Sequence, residues 1–211
     1  MKATSATKIC NLALSLLGEP AITNLTGPVP KSKSASACNE WYDTCRRELL
    51  ELCSWNFAIE RKKLPLLNDT PLFGYTYKYK LPTEFIKLVA LEGSDETGLS
   101  SLAYKIEGDE LLYDSADGDP IEIRYIWDIE DVSKFPPTFV TALTTSLAFR
   151  ICIAINGSKT LYDRLSVEKD NLINIAKTMD VKQNPPKIIQ RSNLISQKKN
   201  VFPASSVGVV F

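Results

Sequence analysis

Histidine is missing from all 211 residues. Its absence removes the side chain whose ordinary pKa best suits proton transfer near neutrality, and with it the commonest metal ligand. The sequence also lacks a Gly-rich phosphate loop, a GxSxG elbow and an HExxH helix, so hydrolase and nucleotide-binding chemistries have no motif to stand on. Its five cysteines, Cys10, Cys38, Cys45, Cys53 and Cys152, are odd in number and have no CxxC spacing. They fall in helical-looking segments and read as reduced, buried small hydrophobes. No apolar run approaches membrane-spanning length, and net charge is zero, unlike the basic balance usual in nucleic-acid binders. Internal repeats and low-complexity tracts are absent too. The expectation is a protein that is not an enzyme, with no cofactor, no metal and no membrane partner. Met1, Lys2 and Lys8 ahead of residues 9–17 imitate a secretory leader, but Asn11, Ser15 and the lack of a small-residue cleavage site argue against one.

What is present is enough apolar content, 44%, to bury a core of ordinary domain size. Ile9, Leu12, Ala13, Leu16 and Leu17 sit at helical spacing, so a first helix is predicted over residues 5–17, stopped by Gly18 with Pro20 beyond. A loop rich in Gly, Pro, Ser and Lys follows. The second helix, residues 35–54, puts Cys38, Trp41, Tyr42, Cys45, Leu49, Leu52 and Cys53 on one side, with Asn39, Asp43, Arg46, Arg47 and Glu51 mostly elsewhere. Pro136-Pro137 opens a third helix whose Val140, Leu143, Leu147, Ile151 and Ala154 share a face. It ends at Asn156-Gly157, and Ser158 caps a fourth helix running to about residue 180. Helices three and four should form an antiparallel hairpin against the first two.

Between the helix pairs the period changes. Tyr75, Tyr77 and Tyr79 alternate with Thr76, Lys78 and Lys80, as a half-exposed strand requires. Further strands are expected at 85–91, 104–107, 110–114 and 121–127, with turns at 107–109 and 116–119. Connections this short imply antiparallel pairing. The fold class is therefore α+β: an antiparallel bundle of about four helices with an inserted small antiparallel β-sheet or partial barrel, and an extended C-terminal tail. Residues 1–64 and 135–182 form the bundle, 65–134 the insert and 183–211 the tail. That tail mixes apolar with basic residues and reads as a segment that orders against a partner.

Charge is unevenly placed. Residues 92–131 hold thirteen acidic residues against Lys105 and Arg124, whereas residues 181–211 hold five basic residues and no acid. Asp114, Asp117 and Asp119 look superficially like a calcium loop, but with Gly118 as the turn glycine the first ligand position falls on Tyr113 and the terminal glutamate position on Arg124; a solvated hairpin turn fits better. Glu48 and Glu51 have the spacing of a helix surface and read as ordinary surface charge rather than an acid–base pair. Arg61, Lys62 and Lys63 make a short basic run that could touch phosphates. The tyrosine ladder could stack bases or sugars, yet aromatics on one strand face more often pack against a sheet partner or a neighbouring subunit.

Several stretches, taken in order, resemble one family: Cys10-Asn11, Ala13-Leu14 and Leu17-Gly18; then Trp41-Tyr42-Asp43 and Arg47-Glu48-Leu49; then Trp55-Asn56-Phe57-Ala58; then Tyr79 to Pro82. They are similar to the head-to-tail adaptors of short-tailed bacteriophages, the tail tubular protein A-like connectors. The likeness covers roughly the first ninety residues and, more loosely, the later helix pair; its motifs are structural and contain no reactive group. It implies a structural virion protein, assembled in the host cytoplasm, whose copies form a dodecameric ring beneath the portal protein. Such a ring extends the DNA channel, through which genomic DNA passes without sequence recognition, and provides a platform for the tail nozzle protein. On this view Ile188, Ile189, Arg191, Lys198, Lys199, Phe202, Val209, Val210 and Phe211 are candidate portal-docking residues. Tyr75, Tyr77, Tyr79, Asp114, Asp117 and Asp119 are candidates for a subunit or nozzle interface. The alternatives are another tail-completion protein, or a nucleic-acid-binding module using the tyrosine strand and the basic tail.

Overall fold

The computed structural model describes residues 5–25, 32–91, 104–115 and 120–183. Among these, the chain runs through α1 (Ala6–Leu16), α2 (Lys33–Leu52), β1 (Ile59–Leu64), β2 (Tyr77–Lys80), β3 (Phe85–Leu91), β4 (Tyr104–Glu107), β5 (Glu110–Tyr113), β6 (Ile121–Trp127), α3 (Pro137–Ile155) and α4 (Lys159–Val181). Four helices and two three-stranded antiparallel sheets result, in the orders β1-β6-β3 and β2-β5-β4. Each helix starts where local chemistry says it should. Ser5, Ser32 and Ser158 accept hydrogen bonds from the amides of Lys8, Ala35 and Leu161, while Pro137 occupies the first turn of α3, where a missing N–H costs nothing.

Helix α3 is the hub, packed against α1, α2 and α4. By length and composition it could cross a membrane, which corrects the expectation that no such run exists. Its place at the centre of the bundle explains the composition: Phe139, Ala142, Leu143, Leu147, Ala148, Ile151 and Cys152 are all fully buried, on more than one face. Ala154, expected on the buried face, is exposed at the end of the helix. The α3–α4 hairpin forms as predicted across residues 156–158, with Phe149 stacked on Tyr162 at 4.5 Å.

The insert, expected as a small antiparallel sheet or partial barrel, consists of two three-stranded antiparallel sheets laid face to face. Leu64, Tyr79, Leu81, Leu91, Leu111, Tyr113, Ile121, Ile123 and Tyr125 form one apolar cluster drawn from both. The sheet β1-β6-β3 thus lies between two cores, and β6 shows why. Ile121, Ile123 and Tyr125 point toward the other sheet, whereas Ile126 belongs to the helical core. Strand β3 serves both sides differently. Register shifts between Phe85 and Lys87 and between Leu88 and Ala90 insert extra residues, so Phe85, Leu88 and Leu91 pack between the sheets while Ile86 and Val89 pack on the helices. Strand β1 carries the basic run Arg61-Lys62-Lys63 and was not foreseen as a strand; the sheet therefore begins before residue 65. Beyond it the chain changes sheets, since Leu66 bridges Tyr79 and the Leu67 amide donates to the Lys78 carbonyl at 2.9 Å. The β4–β5 hairpin turns on Gly108-Asp109, with Gly108 at φ 61° as the first central position of a tight hairpin turn favours.

Candidate functional site

Of the resemblance-bearing residues, Trp55-Asn56-Phe57-Ala58 lies at the joint between bundle and sheets, between α2 and β1. Trp55 is buried and donates its indole N–H to the Leu49 carbonyl at 2.6 Å, closing the end of α2. Its ring meets Phe139 edge-on at 5.2 Å, and Phe57, Phe135 and Phe139 complete an aromatic cluster at centroid distances of 4.8 to 5.8 Å. Asn56 then ties in α4. Its backbone N–H donates to both carboxylate oxygens of Asp180 at 3.1 Å, and its side-chain amide donates to the Asp180 carbonyl at 2.8 Å. Burial pushes the Asp180 carboxyl above its ordinary range, and the Asn56 amide opposes that push. Asn11 performs a similar task for the segment after α1, exchanging two hydrogen bonds with the Ile22 backbone at 2.8 and 3.0 Å.

Arg46 overturns its expected place on the outside of α2. It is 2% exposed, donating to the Asp128 carboxylate and, at 2.7 Å, to the Ile129 carbonyl, with Asp43 3.5 Å from its Nε. The guanidinium is buried because the chain leaving β6 supplies those acceptors. Leu52, placed on the buried stripe from its spacing, is instead half exposed as the last residue of the helix.

The predicted interface residues separate. Tyr79 is fully buried between the sheets, with its hydroxyl 3.0 Å from Ser115 Oγ. Tyr77 packs partly against the same cluster, and Tyr75 precedes β2 rather than lying in it. Asp114 accepts the Thr76 N–H at 2.6 Å and so pins the start of β2 to the end of β5. Asp117 and Asp119 lie outside the described residues, as do Ile188, Ile189, Arg191, Lys198, Lys199, Phe202, Val209, Val210 and Phe211.

Chemically reactive arrangements are scarce among the described residues. No group of three His, Cys, Asp or Glu side chains is placed to hold a metal. All five cysteines are free thiols, four buried and Cys53 half-buried just beyond α2. The hydrogen bond with Cys38, then burial, holds the Cys10 thiol far above its ordinary range, and burial pushes Cys45 up to about 12; such thiols carry little nucleophilic thiolate. Glu48 takes the Arg150 guanidinium at 2.9 Å on both oxygens, joining α2 to α3. A shallow groove of about 370 Å³ is lined by Thr44, Arg47, Glu48, Glu51, Phe85 and Ile86, and its Arg47 already lies 3.4 Å from Asp128.

Two surfaces stand out instead. In the loop between β1 and β2, Leu72 is 97% exposed and Phe73 85%. Along α4, Val167, Ile175, Met179 and Val181 are about half exposed or more, with Ile175 and Met179 one turn apart and Val181 on the opposite flank. Sequence reading missed the first pair, although Pro71-Leu72-Phe73-Gly74, two large apolar residues between turn formers with no periodic partner, carried the signal. The basic run on β1 is exposed, with Arg61 directly across the ladder from Arg124 and Lys63 3.7 Å from Glu122. Compared with known proteins, the chain matches no family model and gives no significant match among curated proteins.

Proposed function

We propose that this chain is a head-to-tail adaptor of the short-tailed phage kind: a non-enzymatic virion protein whose copies ring the channel beneath a portal and present a platform to the nozzle. One observation carries the reading. Of the short motifs that resemble that family, Trp55-Asn56-Phe57-Ala58 closes the end of α2, ties it to α4 and leads into β1, while Asn11 holds the segment after α1 and Tyr79 holds β2 to the end of β5. A likeness built on fastening residues is what a shared architecture would leave in a sequence with no reactive motif. Ring formation needs two different patches on each subunit, and exposed apolar side chains occur both on the loop between β1 and β2 and along α4. Opposite charge in the acidic middle and basic end of the sequence supplies partner orientation.

Cryo-electron microscopy of the protein mixed with portal-bearing, DNA-filled particles from its own source tests this. The expected result is a ring of this chain under the portal, with residues 184–211 contacting portal subunits. Particles that remain bare under saturating protein would sink the reading. For the rival nucleic-acid module, Tyr79 is enclosed between the sheets, while Tyr75 and Tyr77 are half-buried. That module would gain ground if the isolated protein bound DNA with an affinity falling steeply with salt.

A further inference from the structure

We propose that Arg61 and Arg124, side by side on the bundle-facing side of the inner sheet, form a binding site for a phosphate dianion, either inorganic phosphate or a phosphate monoester. The inference stands apart from the ring reading and uses no part of it.

Register makes the pair. On β6, Ile121, Ile123 and Tyr125 face the other sheet, so Glu122, Arg124 and Ile126 face the opposite way, and Ile126 enters the helical core. Strand β1 runs antiparallel beside it, with Ile59 opposite Ile126, Arg61 opposite Arg124 and Lys63 opposite Glu122. Directly opposed residues have Cβ atoms about 4.5–5.5 Å apart, and like charges so placed repel. The only acid that these two strands turn to this face is Glu122, which lies 3.7 Å from Lys63. Arg46, Arg47 and Arg150 each hold a carboxylate, whereas among the described residues Arg61 and Arg124 have none within ion-pair distance.

Cations on an edge strand guard it against pairing with other chains, which accounts for Arg61, Lys62 and Lys63 on β1. It does not account for Arg124, which is half-buried on the central strand of its sheet. On its other side Arg124 is opposite Ala90 of β3, a side chain with no charge to offer. Two facing guanidinium groups without an acid are a local conflict that a bound anion would resolve.

The ligand class follows from what two arginines can hold. Each guanidinium presents a planar fork of N–H donors and stays charged. A carboxylate has two oxygens, enough for one fork. A phosphate monoester has three acceptor oxygens and carries about −1.5 to −2 charge at pH 7, which matches two forks and two positive charges. A phosphodiester carries a single charge, so a nucleic-acid backbone is the poorer fit.

Heteronuclear NMR of the arginine side chains tests this on the full chain at neutral pH, with inorganic phosphate, glycerol phosphate, dimethyl phosphate and acetate titrated at constant ionic strength. The inference expects saturable shifts of the Arg61 and Arg124 Nε–H signals with inorganic phosphate, glycerol phosphate or both, at least about tenfold tighter than with the other two. Tighter binding of glycerol phosphate than of inorganic phosphate assigns the site to an esterified ligand, and the reverse to free phosphate. Arg61→Gln and Arg124→Gln should each weaken binding at least about tenfold, as losing a charged hydrogen-bond donor does. Because either change relieves repulsion, both variants should melt no lower than the parent in phosphate-free buffer, and phosphate should raise the melting temperature of the parent alone. Equal shifts at Arg164, a lone exposed arginine on α4, overturn the site. So do acetate or dimethyl phosphate binding as tightly as phosphate, undiminished binding in either variant, and the absence of saturable shifts; a variant that melts lower counts against the repulsion on which the inference stands.

Discussion

Around α3, side chains from all three other helices join one apolar cluster that includes four aromatic rings and reaches across to Ile126 and Ile129. Between the sheets, nine buried residues do the corresponding work, among them Tyr79, Tyr113 and Tyr125, whose hydroxyls have to be accommodated. The Tyr125 hydroxyl donates to Glu60 at 3.2 Å. One region is closed by many interlocking apolar surfaces; the other is a thin layer whose few large rings must also satisfy polar ends. The bundle should therefore set global stability, and the outer sheet should open first.

Trp55→Ala is the sharpest way to break that contrast from the bundle side. Removing the ring empties the joint and leaves the Leu49 carbonyl without its indole partner, at a cost of about 3–5 kcal/mol. Denaturant unfolding should show the whole transition moving to lower concentration; loss confined to the sheets would contradict the shared-core argument. Tyr79→Ala attacks the other side, with an expected loss of about 3 kcal/mol that is local. Hydrogen exchange should speed up in β2 and β5 while the amides of α1 and α3 keep their protection. Equal acceleration in α3 would show that the two regions unfold as one.

The smallest expected effect lies at the joint itself. Asp180→Ala leaves the Asn56 N–H without its acceptor and should cost about 1–3 kcal/mol, whereas Asp180→Asn keeps an oxygen there. Burial raises the folded carboxyl above its ordinary 3.8, so its ionised form is the disfavoured one in the fold. The contribution of Asp180 is most favourable below 3.8 and is lost as pH rises through the raised folded value. Measured across that window, Asp180→Asn should gain stability relative to the parent as pH increases; a relative loss would mean that the Asn56 bonds outweigh burial.

The helices were legible in the sequence because their signals are local. Ser158 caps α4 and Pro136-Pro137 opens α3 just as the residues suggest. Strand β1 escaped notice because four of its six residues, Glu60 to Lys63, are charged and exposed on a sheet edge, a pattern without the alternation that marks a half-buried strand. Arg46 escaped for a different reason: its partners Asp128 and Ile129 are more than eighty positions away, and a buried arginine is identified by its acceptors rather than by its own spacing. The bulges in β3, which let it pack on both sides of its sheet, are also something no periodicity argument anticipates. Of the interface candidates, the alternation of Tyr77 and Tyr79 correctly marked a strand, and the inward aim of Tyr79 is a tertiary outcome.

The Asn56–Asp180 fastening also has a mechanical meaning. Asp180 is the residue before the last of α4, so tension on the chain beyond α4 reaches this bond pair before it reaches the hairpin with α3. The hydrogen bonds link the helix end to the short turn that leads directly into β1, and a pull there is delivered to the inner sheet rather than spent on unwinding the helix. Whatever grips the end of this chain would be felt first by the strands.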